Sequence, residues 1–595
     1  MIVFDIETDG LLPELTKIHS LVLYDWNKKA TLSCCDRPGY TPIEEGLEKL
    51  RRTKLLIGHN ILGFDIPAIQ KVFPRWEPKG KVRDTYNIAR LIWPEIIERD
   101  VFLKHMPKNM KGKYSLESFG FRLGVLKGDF GKTTDWKQWT PDMQKYCEQD
   151  VEVTKALWER IKKAEYSEEA IQLEHDFQKI IHQQEKNGVC FDVVKALQLK
   201  YELEASLKDL KAKIQEKIPP KEMRTPFTPK VNSKKYGYEK GVTTFKKFIK
   251  VFNPASRMQI GNYLIEKYLW EPAEFTPTKR PKLSGEILRG LPYEETPLFA
   301  DFLEANKLFG QLSSGEKSWL KYVKNGKIHG QMTTNGAITG RCTHQKPNLG
   351  QVPSLSSFRG EECRELFYAP EGYLMVGADA EQLELRCLAH YLFPYDRGAY
   401  AKAILEGDIH TTNEEAAGLP DRNSAKRFIY ALNYGAGYQL LGSIVIPEAS
   451  AKEQAIEGKR LKQNFMQKIH GFGKLGQDLQ TTLKLRKHLL GLDGRKLKPR
   501  AEHKALNTLL QSAGGVIMKK ANVILWEALE DNHLAEHCMQ VLQVHDEYQL
   551  YAKTDYAEEV GELAADAIYQ AGRYFDFRCP LAGNYKIGKN WKETH

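Results

Sequence analysis

The sequence predicts a multidomain protein of the α/β and α+β classes, and three observations lead to this prediction. Its 595 residues are enough for about four domains of roughly 150 residues each. A content of 42% hydrophobic and 28% charged residues is typical of chains that fold around cores. The pattern of short β-like runs and helical stretches also changes along the chain, which divides it into three regions.

The three regions are distinguished by their secondary-structure patterns. Residues 1–165 mix β-like runs, such as IVFDI and LLIGHN, with helical stretches. Residues 166–340 are mostly long amphipathic helices, one of which should end at Gly188. A Lys- and Pro-rich stretch at 217–250 interrupts them, and we interpret it as a loop or mobile arm. From residue 341 strands return and bracket a helical block.

Charge and cysteine content indicate the kind of partner and the cellular compartment of the protein. The formal net charge is +11, and residues 217–250 alone carry ten Lys or Arg against two Glu, so we expect nucleic acid as a partner. The nine cysteines include no Cys-x-x-Cys pair, which argues for reduced thiols and against zinc or disulfides. Neither a signal peptide nor an apolar run of about eighteen residues is present. The sequence therefore predicts a soluble, cytoplasmic protein without a membrane partner.

Acidic residues and one tyrosine recur in three N-terminal segments. FDIETDG places Asp5 and Glu7 on one face of a predicted strand. GHNILGFDIPAI places Asp65 at the start of a helix, and YCEQDVEV places Tyr146 and Asp150 on one helix face. Asp-x-Glu alone is weak evidence, because a solvated strand end gives the same pattern. The ordered set is more specific, since two Mg²⁺ ions that hydrolyse a phosphodiester need several oxygen ligands and no sulfur.

This ordered set resembles the proofreading 3′–5′ exonucleases of the DEDD type, in their tyrosine subclass. The resemblance implies an RNase H-like domain at residues 1–165. It implies that Tyr146 orients the attacking water and that the metal ions are held by four carboxylates, those of Asp5, Glu7, Asp65 and Asp150.

A second set of candidates begins at YLMVGADAEQLELRCLAHY. This segment predicts a buried strand that ends at Asp379, followed by a helix that opens with Glu381 and Glu384. An acid at a strand end is commonly only a helix N-cap.

A predicted helix between Pro420 and Gly435 carries a stripe that is basic at its start and aromatic at its end. An exposed helix with a Tyr edge in the core would give the same pattern. The functional interpretation is a surface where cations meet phosphates and an aromatic ring stacks on a base. The stripe consists of Arg422, Lys426, Tyr430 and Tyr434.

The stretch CMQVLQVHDEYQLYAKT predicts two half-buried strands joined by a tight hairpin. Adjacent acids are poor strand residues, so Asp546 and Glu547 need an explanation. We expect the hairpin tip to hold His545, Asp546 and Glu547, fixed by the flanking apolar residues. Asp546 is the candidate for catalysis, and Glu547 is a supporting acid.

Together, these segments resemble the DNA polymerases of family A, and most of all the replicative polymerases of T-odd-type bacteriophages. The resemblance is carried by TGRCTHQKPNLGQVP, ADAEQLELRCLAH, GDIHTTN, the Arg422–Tyr434 helix, ALNTLLQSAGG and VHDE. It implies a right-hand fold after the exonuclease domain. The expected parts are a thumb at 166–340 with its basic arm at 217–250, palm at 341–405, fingers at 406–530 and palm again at 531–595.

The resemblance also implies a role for individual residues. Two Mg²⁺ ions, which Mn²⁺ can replace, would be bound by Asp379, Asp546 and the carbonyl of Ala380. The incoming dNTP would be bound by His410, Arg422, Lys426, Tyr430 and Glu384. The DNA would be contacted by Arg341, Gln351, Tyr434, Gln511 and His545.

Two departures from the family pattern leave fidelity and nucleotide preference open. Glu381 stands where a small residue is usual, and we expect its side chain to point to solvent. Asn433 replaces a usually apolar residue. Two alternatives remain. The first is a single-subunit RNA polymerase, and the second is a nuclease or DNA-binding protein whose polymerase module is inactive. The expected residues Glu384, Tyr430, Asp379 and Asp546 argue against both.

The expected partners are primer-template DNA, dNTPs, a helicase or primase and a single-strand binding protein. The related phage enzymes carry a large thumb insertion that recruits a host processivity factor, whereas only the basic arm corresponds to it here. We therefore expect that this protein does not use that factor in the same way. We also expect a monomer that works in the host bacterial cytoplasm and that has no N-terminal 5′ nuclease domain.

Overall fold

The computed structural model describes residues 1–128, 130–132, 134–272, 275–276 and 278–595. It confirms the predicted combination of an α/β region with mixed helical and β regions. Within these described ranges, no helix is both long enough and apolar enough to cross a membrane.

The N-terminal region is built on one mixed sheet of five strands: β1 (Ile2–Thr8), β2 (Ile18–Asp25), β3 (Ala30–Cys34), β4 (Leu55–Gly58) and β5 (Lys81–Asp84). Their order in the sheet is β3-β2-β1-β4-β5. β1, β2 and β3 are antiparallel, whereas β4 pairs parallel with both β1 and β5. β1 therefore lies in the centre, where it is covered on both faces.

Helices cover both faces of this sheet. They are α1 (Ile43–Arg52), α2 (Asp65–Val72), α3 (Thr85–Ile92), α4 (Ile97–Asp100), α5 (Leu116–Leu123) and α6 (Pro141–Lys162). Phe4 packs with α1 and α2, and Val3 packs with α3, α5 and α6. Since side chains alternate along a strand, Asp5 and Glu7 lie on the same face as Val3 and are directed towards α6.

The middle region is mostly helical. Its elements are α7 (Glu168–Asn187), β6 (Val189–Phe191), α8 (Val193–Lys217), β7 (Lys221–Phe227), β8 (Thr244–Lys250), α9 (Arg257–Tyr268), α10 (Gly285–Arg289), α11 (Thr296–Phe309), β9 (Val323–Lys324), β10 (Lys327–Ile328) and β11 (Gln331–Thr333). α7 ends before Gly188, as expected, because this residue has a φ of 62° that glycine adopts readily.

The basic arm forms a β-hairpin, so the prediction of a loop was wrong for its two paired strands. β7 and β8 pair antiparallel along seven residues, with Met223 opposite Phe248. Nearly every residue of the two strands is exposed. The Lys and Pro residues obscured the aromatic and β-branched side chains that form the cross-strand pairs.

The C-terminal part returns to mixed structure. Its strands are β12 (Thr343–Gln345), β13 (Phe367–Tyr368), β14 (Tyr373–Ala380), β15 (Leu489–Leu490), β16 (Lys496–Leu497), β17 (Cys538–Val544), β18 (Glu547–Lys553) and β19 (Gly583–Gly588). Its helices are α12 (Gly360–Glu365), α13 (Leu383–Asp396), α14 (Ala399–Glu406), α15 (Ile409–Ala417), α16 (Arg422–Asn433), α17 (Tyr438–Ser443), α18 (Ala451–Lys468), α19 (Phe472–Arg486), α20 (Ala505–Asp531) and α21 (Ala557–Tyr574).

One antiparallel sheet of order β17-β18-β14-β19 forms the base of this part. One of its faces joins α13, α20 and α21 in the largest hydrophobic cluster, to which Tyr548 and Leu550 contribute. The opposite face, with Tyr551, packs against the middle region. The strands are therefore buried on both faces and not half-buried as the alternation suggested.

The turn between β17 and β18 is shorter than expected. Val544 pairs with Glu547, so only His545 and Asp546 lie in the turn, and His545 has a φ of 55°. The expectation that Glu547 lies at the tip was wrong, because it is the first residue of β18 and is buried.

Candidate active sites

The first site lies at the end of β1, where acids from three elements converge. Asp5 and Glu7 belong to β1, and Asp65 is the first residue of α2. The Ile6 N–H donates to Oδ1 of Asp65 at 3.2 Å, which brings the start of α2 beside β1. The structure thus brings these three predicted acids together.

Helix α6 supplies the other two predicted residues. Tyr146 and Asp150 are four residues apart and face the site together. Oδ2 of Asp150 lies 2.5 Å from Nζ of Lys127, whereas its Oδ1 is buried without a hydrogen-bond partner among the described residues. The phenol ring of Tyr146 lies beside the same ammonium group, 4.7 Å from ring centroid to Nζ.

Burial and mutual repulsion make these carboxylates unusually basic. Burial raises the pKa of both Asp5 and Asp65 to about 8, and the neighbouring acids Asp65 and Asp84, respectively, add to these two shifts. Burial also raises the pKa of Glu7 and Asp150 well above the usual range. Clustered carboxylates whose charge Lys127 balances only in part, one with a buried oxygen that has no partner among the described residues, fit a divalent cation.

The sequence analysis missed three residues of this site. Lys127 comes from the loop after α5, where no local pattern marks it. Sγ of Cys147 lies within 4.8 Å of ligand atoms of Asp5 and Glu7, but burial raises its pKa, so it is a thiol that donates to Asp5. Asp84 accepts the N–H groups of residues 60 and 62 and thereby fixes the turn that precedes Asp65.

The second site lies where β14 meets the β17–β18 turn. Asp379 pairs with Glu547 across the sheet, and the buried Ala380 donates its N–H to the carbonyl of Asp546 at 3.1 Å. Burial, Asp546 and Glu547 raise the pKa of Asp379 to about 7, although its side chain keeps a solvent-exposed edge. Burial and Glu547 also raise the pKa of Asp546. These two carboxylates fit a divalent cation for the same reason as those of the first site.

Glu547 is held by protein groups from elsewhere in the chain. Nε1 of Trp591 donates to its Oε1 at 2.6 Å, and Nδ1 of His595 lies 2.5 Å from its Oε2. The guanidinium of Arg364 lies 3.8 Å from Oε1 and stacks on Trp591. Both oxygens are thus occupied, which supports the prediction of a supporting acid. Sequence reasoning missed these partners, because no local spacing links them to Glu547.

Five further predicted residues lie beside this site. Oε1 of Glu384 accepts hydrogen bonds from Oη of Tyr434 at 2.8 Å and from Arg341 at 3.3 Å. Nε of Arg341 also donates to the carbonyl of Gln511 at 3.3 Å. Burial, followed by Glu384, Asp546 and Asp379, raises the pKa of Tyr430. The charges of all three acids therefore act on the phenol group of Tyr430.

The basic start of α16 faces the N-terminus of α15. Nε of Arg422 lies 2.5 Å from Oδ2 of Asp408, whose Oδ1 accepts the His410 N–H at 2.9 Å. His410 is buried, and its Nδ1 has no partner among the described residues. Burial and the two cations Arg422 and Lys426 lower its pKa. Lys426 itself is exposed.

The two remaining predicted DNA contacts have different surroundings. His545 lines a small cavity together with Arg341 and His344. Gln351 is exposed at the end of a single 3₁₀ turn. Its carbonyl accepts a hydrogen bond from the side chain of Gln311 at 3.2 Å.

The two unusual residues have different surroundings. Glu381 precedes α13, so the prediction that it opens the helix was wrong. Its partly exposed carboxylate is bound by Asn584 and Arg386 and does not extend freely into solvent. Asn433 is buried, and neither atom of its amide group has a partner among the described residues.

Comparisons with known proteins agree with this arrangement. Residues 230–593 match DNA polymerase family A, and residues 2–162 match the RNase H superfamily. Domains of both kinds generally use divalent metal ions. The chain is 32% identical to the DNA-directed DNA polymerases of Enterobacteria phage T3 and of Escherichia phage T7, and each alignment covers 100% of both chains.

A solved structure has the same fold. The POL domain of Pol1 from M. smegmatis, in complex with DNA primer-template and dNTP, aligns with a TM-score of 0.72. The alignment covers 99% of this chain and 96% of that one at 18% identity. These matches decide against the single-subunit RNA polymerase considered above. The chain belongs to DNA polymerase family A and carries an RNase H-like exonuclease domain ahead of its polymerase domain.

Proposed function

We propose that this polymerase extends the 3′ end of a primer on a DNA template with dNTPs and uses Mg²⁺, which Mn²⁺ can replace. The observation that carries the proposal is the approach of Asp379 and Asp546 where β14 meets the β17–β18 turn. In this proposal both carboxylates and the carbonyl of Ala380 hold the ions. Ions held there would lower the pKa of the primer hydroxyl and neutralise the charge of the triphosphate.

The nucleotide is positioned by α15 and α16. Arg422 is paired with Asp408, and we expect it to exchange this carboxylate for a phosphate when a nucleotide binds. Lys426 and His410 face the same surface and add a further positive charge and a donor. The ring of Tyr430 would stack beside the nascent base pair, and Glu384 would pack against the sugar of the incoming nucleotide.

The DNA would be contacted by the cluster next to the acids. Arg341 and Tyr434 donate hydrogen bonds to Glu384, and Arg341 also donates to the backbone carbonyl of Gln511, so the side chains of Arg341 and Tyr434 are held in place. Minor-groove acceptors are similar for all correct base pairs, so such residues check pair geometry without reading sequence. His545 and Gln351 would contact the primer end and the duplex, respectively.

The N-terminal site would remove mispaired 3′ nucleotides. Asp5, Glu7, Asp65 and Asp150 would hold two Mg²⁺ ions, and Tyr146 would orient the attacking water. The buried, mutually repelling carboxylates support this role because they gain most from a divalent ion.

Two substitutions separate the two activities. Asp546→Ala should abolish primer extension and leave excision of a mispaired 3′ nucleotide intact, whereas Asp65→Ala should have the opposite effect. The matched controls are Asp555→Ala and Asp142→Ala, which remove exposed acids after β18 and on α6. Both controls should keep both activities. Loss of both activities in either test variant, with its folding intact, would contradict the assignment of two separate sites.

We also propose that the β7–β8 hairpin binds duplex phosphates directly. Its strands carry Lys221, Arg224, Lys246, Lys247 and Lys250, and almost all of their residues are exposed. Contacts with phosphates release counterions, so binding should weaken as salt rises, with a slope of roughly 0.9 per phosphate contact.

A deletion can remove this hairpin without opening the thumb. Lys221 and Lys250 are paired, so residues 222–249 can be replaced by two glycines. We expect shorter synthesis runs on primed single-stranded DNA and a smaller salt dependence. Changing the five basic residues to Gln should act like the deletion, whereas exchanging Lys and Arg among them should have no effect. Unchanged run length and salt dependence would show that the hairpin has another role.

The biological setting follows from the same proposal. We propose replication of a bacteriophage genome in the host bacterial cytoplasm by a monomer. It would work with a helicase or primase and a single-strand binding protein, without the host processivity factor. Processive synthesis by the purified chain alone would support the last point, and stimulation by that factor would contradict it.

A further inference from the structure

We propose that Lys127 is an internal counterion of the exonuclease site that divalent ions must displace, so that it sets the metal requirement of excision. This inference rests on the proposed exonuclease function and extends it to a residue outside the predicted set. The competition is between the ammonium group of this side chain and a divalent ion for the same group of carboxylates.

The position of Lys127 carries the argument. Its Nζ lies 2.5 Å from Oδ2 of Asp150, whose side chain is only 3% exposed. The same Nζ lies over the ring of Tyr146. The positive charge also opposes the increase in the pKa of Asp5 and of Glu7, so it acts on the site as a whole.

Charge makes this position incompatible with full metal occupancy. In the proposed site, two divalent ions bring four positive charges to four carboxylates, so Lys127 would add an excess charge. Like charges a few ångströms apart in a partly buried site repel strongly, because solvent screens them only in part. Metal binding should therefore displace the ammonium group from Asp150. The free energy that this displacement requires lowers the affinity of the site for the ions.

The loop around Lys127 allows such a displacement. Gly124 and Gly128 flank it with φ values of 73° and 75°, conformations that glycine adopts without strain. A Cβ atom on either glycine would meet no described atom within 4 Å, so the loop is not packed at these two points. The neighbouring residue Leu126 is 58% exposed. The side chain can therefore withdraw without disturbing the hydrophobic core.

Direct metal binding tests the proposal independently of catalysis. The full chain with Asp379→Asn and Asp546→Asn, which silences the polymerase site, is titrated with Mn²⁺, and free Mn²⁺ is followed by electron paramagnetic resonance. Lys127→Met should bind Mn²⁺ at least about tenfold more tightly than the parent. Lys127→Arg should stay close to the parent, because it keeps the charge. Lys145→Met is the matched control, since it removes an exposed charge from α6 next to Tyr146, and it should change nothing.

Two further measurements complete the test. Without metal, Lys127→Met should melt at a lower temperature than the parent, because the acids lose their counterion, and saturating Mn²⁺ should close this gap. In the chain with an intact polymerase site, the Mg²⁺ concentration for half-maximal excision should fall about as much as the affinity for Mn²⁺ rises.

Two outcomes would overturn the proposal. Affinity within twofold of the parent would make Lys127 a bystander, and weaker binding would make it a support of the metal ligands. The proposed exonuclease site is tested separately by Asp5→Asn with Asp65→Asn in the same background. If these changes leave Mn²⁺ binding intact, the assignment of the site itself fails, whatever Lys127 does.

Discussion

Four buried, charged side chains link α7 to α20 and to the segment at Asp493–Arg495, and substitutions among them test how much this link stabilises the fold. Glu174 of α7 accepts from Lys519 of α20 and lies 3.1 Å from Arg495, whose side chain donates three hydrogen bonds to Asp493. Lys519 also donates to the carbonyl of Gly340 at 2.7 Å. All four charged side chains are at most 2% exposed.

The cost of Lys519→Met follows from charge balance. Two positive and two negative groups cancel in the parent, so removing one ammonium group leaves a net negative charge without solvent. Removing one partner of a buried ion pair costs about 3–5 kcal/mol of unfolding free energy. Methionine keeps most of the volume, so a cavity adds little. At about 2–4 °C per kcal/mol for a domain of 150–250 residues, the melting temperature should fall by about 6–20 °C.

Thermal unfolding followed by circular dichroism measures this loss. The double variant Glu174→Gln/Lys519→Met removes one charge of each sign and leaves the Asp493–Arg495 pair, so it should regain most of the lost stability. The control Lys484→Met removes an exposed lysine of α19 and should change the unfolding free energy by less than about 0.5 kcal/mol. A loss below about 1 kcal/mol for Lys519→Met, or a double variant less stable than the single one, would refute the reasoning.

Three further predictions follow from single contacts. Burial raises the pKa of Glu185 from 4.5 to about 7, so ionisation of this carboxyl destabilises the folded protein. The free energy of unfolding should therefore fall as the pH rises through this range, by at most about 3 kcal/mol. Glu185→Gln keeps an acceptor for the Met332 N–H and should remove this fall in denaturant titrations between pH 5 and 8; an unchanged pH dependence would refute it. Trp591→Phe leaves Oε1 of Glu547 without its donor, so we expect a loss of about 1.5–3 kcal/mol and slower primer extension, and unchanged melting would speak against this contact. Tyr430→Phe should reduce incorporation of dideoxynucleotides relative to dNTPs, because the hydroxyl would fill the place of the missing 3′-hydroxyl. An unchanged ratio would rule this out.

Local patterns predicted much of both sites. The period of two in β1 placed Asp5 and Glu7 together, and the spacing of four in α6 placed Tyr146 and Asp150 on one face. Pro420 and Gly435 correctly bounded α16. Such features are set by backbone geometry within a few residues, so the sequence alone is sufficient to predict them.

Where prediction failed, the local pattern was ambiguous or incomplete. The Lys- and Pro-rich composition of residues 217–250 suggested a loop, although the stretch pairs as a hairpin. The alternation around Asp546 suggested half-buried strands, but a count of residues cannot tell how many layers will cover a sheet. The turn also proved one residue shorter than expected, which moved Glu547 from the tip into β18.

By itself, the sequence determined the order of the RNase H-like and polymerase domains, and it indicated the strand and the helix that carry most of the predicted residues of the first site. Only the tertiary structure decided that Lys127 lies against Asp150. It also decided that Trp591 and His595 contact the two carboxylate oxygens of Glu547. These contacts join residues far apart in the chain, and they form because packing brings separate elements together. No spacing in the sequence encodes them, since burial and charge balance select the partners only after the chain has folded.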